Sequence, residues 1–98
     1  MEQEIVWTRR ASKELADLHA YISEDSPSAA DRQAEIVMSA VDRLINFPEK
    51  GRPGRRRRTR ELVVAGTPYI VAYRVGASII EILAILHGAR RWPQSFKS

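Results

Sequence analysis

Hydrophobic residues return along this chain with two periods, and the change from one to the other divides the sequence. In residues 2–8, EQEIVWT, the run Ile5, Val6, Trp7 stops at a polar residue, the pattern of a short opening strand with Trp7 in the core. From Arg9 to about Asp25, Ala11, Leu15, Leu18 and Ile22 repeat at helical spacing while Lys13, Glu14 and Asp17 fall on the outer side; Thr8 stands where a helix cap belongs. Ser26-Pro27 starts a second helix, because the serine hydroxyl can satisfy a free amide and proline at the first helical position loses no bond. Its stripe is Ala30, Ala34, Val37, Val41 and Leu44, and it should end near Phe47, since Pro48 disfavours helical geometry in the residue before it. Two helices joined by two or three residues run antiparallel.

Residues 48–58, PEKGRPGRRRR, read as a loop, with two prolines, two glycines and no aliphatic side chain. Beyond them the period shortens. TRELVVA, PYIVAYRV and SIIEILAIL are three β-rich runs separated by Gly66-Thr67 and Gly76-Ala77, which predicts an antiparallel meander. The order β-α-α-β-β-β defines an α+β fold, a helical hairpin packed on a twisted antiparallel sheet. At 98 residues the chain has room for one core, so residues 1–98 are expected to form a single domain.

The last two strands are apolar on both alternating sets apart from Arg74 and Glu81. One helical hairpin covers one face of a sheet. The other face is therefore expected to expose apolar area that a partner, or the tail HGARRWPQSFKS, would have to cover.

Composition narrows the setting. The absence of cysteine removes disulfides and thiolate metal sites and fits the cytoplasm. The start MEQEIVWTRR lacks the basic and then apolar pattern of an export signal, and no apolar run approaches the ~18 residues of a membrane helix. His19 has no matching ligand pattern, and no phosphate-cradling glycine motif or nucleophile elbow occurs, so neither metal nor cofactor is expected.

Charge is unevenly spread. Residues 1–49 carry five basic and ten acidic side chains, residues 50–98 eleven basic and two acidic. Lys50, Arg52, Arg55, Arg56, Arg57, Arg58 and Arg60 crowd one segment without an acid among them. Their repulsion predicts a loop that stays mobile until phosphates or carboxylates neutralise it. An acidic protein partner and, secondarily, nucleic acid both fit that charge.

Bond chemistry has one candidate constellation. Metal-free RNA cleavage requires a base for the 2′-hydroxyl, cations for the phosphorane and an acid for the leaving oxygen. Tyr73, Arg74, His87 and Arg90, near the end of the last strands, carry the right groups. A lone histidine at a strand end is more often a hydrogen-bonded structural residue than a catalyst.

The segments FPEKGRPG, TRELVV, GTPYIVAYRV and ILHGARRWP, in this order and spacing, resemble ParE-type members of the RelE/ParE superfamily of bacterial toxins, with Phe47 to Pro93 carrying most of the likeness. The resemblance implies a toxin of a type II toxin-antitoxin pair, a plasmid-stabilisation function, and a ParD-like antitoxin whose acidic, flexible segment wraps the toxin. It further implies either of two targets: DNA gyrase, inhibited by protein contact, or messenger RNA on the ribosome, cleaved by RelE-like members. The sequence departs from the nuclease pattern. Glu61, Val63 and Ile70 occupy positions where the nucleases bring basic side chains, Phe96 stands near their tyrosine, and Arg90 alone matches. The expectation is thus a gyrase-directed toxin without catalytic residues, whose partner-facing side chains are Arg55, Arg56, Arg57, Arg58, Tyr69, Tyr73, Arg74 and Trp92.

Overall fold

A computed structural model describes residues 3–88; Arg90, Trp92 and Phe96, and with them the candidate roles of the tail, lie outside the described residues. The elements are β1 (Glu4–Trp7), α1 (Arg9–Ser23), α2 (Pro27–Asp42) with a 3-10 turn at Arg43–Ile45, β2 (Arg52–Pro53), β3 (Arg60–Val63), β4 (Tyr69–Val75) and β5 (Ile79–His87). Both helices start where their caps lie. Thr8 Oγ1 accepts from the Ala11 amide at 3.1 Å, and Ser26 Oγ accepts from the Ala29 amide at 3.2 Å with Pro27 in the first turn. The α-helical part of the second helix stops at Asp42 and tightens through the 3-10 turn, short of the Phe47 limit set by Pro48.

The sheet runs β1-β5-β4-β3-β2. Strands β2 to β5 form the expected antiparallel meander, but β1 pairs with β5 in parallel, Glu4 against Ile79 through Trp7 against Ile82. The sheet is therefore mixed, a correction to an all-antiparallel reading. The cause is topological: the helical hairpin returns the chain across one face, so the first strand enters beside the last in the same direction. Thr8 fastens this join, its hydroxyl donating to the Ile82 carbonyl at 2.8 Å while capping α1.

The two helices lie on one face of the sheet. There Leu18, Val37, Val41 and Leu44 meet Leu62, Val71, Tyr73, Ile80 and Ile82 in the main core. Each such aliphatic side chain contributes roughly 1.5–3 kcal/mol by leaving water. Ile70, Ala72, Leu83, Ala84 and Leu86, which alternate with that set on β4 and β5, form a second buried cluster on the opposite face. The apolar area of this second face, expected from the sequence to need covering, is thus already buried. Among the described residues, the exposed aliphatic side chains of that face are Val63, Val6 and Ile79, at its margins.

β5 runs five residues past the end of its pairing with β1. A free strand edge would leave amides exposed, and α1 supplies a substitute: Glu14 Oε1 accepts from the Ile85 amide at 2.9 Å.

Candidate partner-binding site

The arginine segment is not a loose loop. Arg52 and Pro53 pair with Glu61 and Arg60, so residues 52–61 form a hairpin whose tip carries Arg55 to Arg58. Its tip closes through the Gly54 amide on the Thr59 carbonyl at 2.8 Å, and the Thr59 amide and hydroxyl on the Arg56 carbonyl at 3.2 and 2.6 Å. Gly54 is required by this closure, since a Cβ there would stand 3.0 Å from the Thr59 backbone. Arg58 adopts a left-handed backbone, φ 61°, uncommon for a residue with a side chain.

What makes so cationic a turn closable is Glu61, whose side chain is 2% exposed. One carboxylate oxygen accepts from Arg52 Nη2 at 3.0 Å and Nε at 3.3 Å; the other accepts from the Arg55 amide at 2.8 Å and lies 3.8 Å from Arg55 Nε. A buried carboxylate holding three N–H donors is an internal counter-ion, and charge-assisted bonds of this kind are about twice as strong as neutral ones. The expected mobility presumed a segment without an acid. The acid comes from the neighbouring strand, which the register places beneath the arginines.

Tyr73 and Arg60 fix the approach to the hairpin from the helix side of the sheet. The Tyr73 hydroxyl donates to the Pro48 carbonyl at 2.7 Å and accepts from the Gly51 amide at 2.8 Å; Arg60 Nη1 donates to the Gly51 carbonyl at 2.6 Å. Burial pushes the Tyr73 phenol above its ordinary value, opposed by the Gly51 hydrogen bond and the Arg60 charge. Tyr73 has no exposed surface, and its hydroxyl is engaged on both sides, so it presents nothing to a partner. It is a positioning residue for residues 48–51.

Between the hairpin tip and β4 lies an open cleft of about 900 Å³, lined among the described residues by six arginines (Arg55 to Arg58, Arg60 and Arg74) against a single carboxylate, Glu49. Arg74 projects from β4 on the outer face, loosely paired with Glu81 at 3.6 Å. Arg57 and Arg58 are exposed and have no ion-pair partner among the described residues. The structure therefore brings together five of the residues expected to face a partner.

Tyr69 and His87 belong elsewhere. They pair at the opposite end of β4 and β5, their rings edge-to-face at 5.8 Å, in a cleft of about 510 Å³ that also contains Glu14 and Asp17. The nuclease constellation is consequently not assembled among the described residues. Arg74 stands five residues along β4 from Tyr69, roughly 16 Å at strand rise, on the other face of the sheet, and Tyr73 is buried. His87 faces two carboxylates where a phosphorane would demand cations.

The sequence model of the ParE toxin of the type II toxin-antitoxin system parDE matches residues 5–92. The chain belongs to the ParE toxin family. Among the relatives of this ParE toxin, Y4kP of Sinorhizobium fredii is 47% identical over 90 residues, covering 92% of this chain and 93% of the relative. Toxin RelE2 of Caulobacter vibrioides is 40% identical over 87 residues, covering 89% of this chain and 97% of the relative. A chain of the chromosomal ParDE TA system from P. aeruginosa superposes with a TM-score of 0.78 at 25% identity, covering 86% of this ParE and 94% of that chain. The arginine hairpin, β4 and the His87 cleft all fall within the matched residues.

Proposed function

We propose that this ParE toxin is one domain that acts in the cytoplasm, is neutralised by a ParD-like antitoxin and, when released, inhibits DNA gyrase by protein contact. The observation that carries the reading is the separation of Arg74 and the buried Tyr73 from His87, the members of the nuclease set among the described residues, together with the exposed arginines massed on one hairpin. A domain arranged this way is equipped to grip rather than to transfer protons. The ParDE system one of whose chains shares this fold supports a ParD-like partner. Arg55, Arg56, Arg57, Arg58 and Arg74 are the partner-facing set, with Tyr69 at the second cleft. An acidic, flexible antitoxin segment would be steered by that charge and would fold as it binds. No helix among the described residues is long and apolar enough to cross a membrane.

Supercoiling of relaxed plasmid by purified gyrase tests the target. Stoichiometric toxin should abolish supercoiling and leave cleaved DNA, and the antitoxin should restore activity. Unimpaired gyrase at a large excess of toxin, with new transcript ends appearing in cells that express it, would replace this reading with ribosome-dependent cleavage.

A further inference from the structure

We propose that the cleft between the hairpin tip and β4 grips the phosphodiester backbone of duplex nucleic acid when the toxin is free of its antitoxin. The inference rests on the cationic hairpin assigned above to partners and does not depend on gyrase being the target.

Three observations lead to it. First, the carboxylates that could quench this region are already committed: Glu61 to Arg52 and Arg55, Glu49 to Arg60 at 3.8 Å, and Glu81 to Arg74. Among the described residues Arg57 and Arg58 are left without a carboxylate, with Arg74 held only at 3.6 Å. Second, the backbone that carries these side chains is set by a closed turn, with Arg58 in a left-handed conformation that a random arginine tail would not maintain. Guanidinium groups presented together in this way can meet phosphate oxygens in a planar, paired geometry. Third, the lining is poor in anchors for a peptide. Among the described residues, Pro53 and Val75 are its only apolar side chains besides the arginine stems, and none of its lining residues is aromatic. Protein partners draw most of their affinity from apolar or aromatic side chains seated in pockets. A phosphate backbone needs only spaced cations. A cleft whose described lining offers cations and no stacking ring should favour the higher charge density of a duplex over a single strand and ignore sequence.

The test is fluorescence anisotropy of purified toxin with labelled duplex DNA, duplex RNA and single-stranded DNA of equal length, titrated across salt concentrations. Contacts from Arg57, Arg58 and Arg74 predict a log-log salt slope of about −2.7 on duplex DNA, or an affinity loss of about 40-fold between about 50 and about 200 mM salt. The double variant Arg57→Gln/Arg58→Asn, in which asparagine tolerates the left-handed backbone, should reduce the slope to about −0.9 and the loss to about 3-fold. Circular dichroism confirms that the variant is folded. Equal binding of the two duplexes supports a purely backbone grip, and a preference between them identifies which nucleic acid is taken.

Failure to bind any duplex, with retention of polyglutamate, overturns the proposal in favour of an acidic peptide; so does a slope that the double variant leaves unchanged. The same preparation is assayed on gyrase. Inhibition without duplex binding removes this inference and leaves the target reading intact, whereas duplex binding by a protein that spares gyrase does the reverse.

Discussion

Replacing Glu61 with glutamine removes one charge and changes almost no volume, so it isolates the counter-ion from packing. The carboxylate now accepts two bonds from Arg52 and one from the Arg55 amide. Glutamine keeps one oxygen and turns an NH₂ group toward a donor, so at least one of those bonds is lost. Bonds to a charged group contribute about 1.5–3 kcal/mol each. The Arg52 and Arg55 side chains are 56% and 52% exposed and recover water on release, which discounts the loss. The Arg55 amide is less able to do so. Glu61→Gln should therefore cost about 2 kcal/mol, below the roughly 3–5 kcal/mol of breaking a fully buried pair. For a domain of this size that is a fall in Tm on the order of 10 °C. Thermal and urea unfolding measure the loss, and amide hydrogen exchange at Arg55 and Thr59 shows whether the hairpin tip is where the structure opens. Glu81→Gln serves as the comparison. Its partner Arg74 sits at 3.6 Å, and both side chains are partly solvated, so its loss should stay below about 0.5 kcal/mol. Equal stability losses in the two variants would refute the assignment of Glu61 as the internal counter-ion.

Two further substitutions probe the supports of the site. Tyr73→Phe strands the Gly51 amide and the Pro48 carbonyl and should cost about 2 kcal/mol near neutral pH. Because burial raises the folded phenol above 10.0, the stability it confers is fully present below that pH and declines as pH rises through the folded value. Wild-type unfolding curves should weaken on that alkaline side and those of the phenylalanine variant should not share that component, so the gap between them narrows. Glu14→Ala leaves the Ile85 amide without its acceptor at the open edge of β5; a stability loss of about 1–2 kcal/mol and faster exchange of that amide are expected.

Much of the fold was legible because its signals are local. Thr8 and Ser26-Pro27 mark helix starts within a few residues, and the switch in hydrophobic period announces the meander. The parallel pairing of β1 with β5 was not, since nothing in residues 4–7 encodes which strand, some 75 residues on, will lie beside them. β2 was hidden by composition, an arginine and a proline that read as loop. The arginine cluster was readable as charge, but not its order. A single acid within TRELVV looks like any solvent-facing residue until the register sets it opposite Arg52. The available signal was that Glu61 is one of only two acids in the second half of the chain, each of which finds an arginine. Tyr73, expected to face a partner, lies in the interior: both alternating sets of this strand are apolar, so the sequence pattern does not say which set the helices cover.

The pairing of the first strand with the last, fastened by Thr8 to the Ile82 carbonyl, has a consequence for synthesis. A nascent chain on the ribosome lacks the partner for residues 4–7 until β5, some 75 residues later, has emerged, and contacts so distant in sequence are slow to form. An interrupted translation product ending before β5 therefore cannot assemble the sheet on which the arginine hairpin is mounted, and so cannot display a finished binding surface.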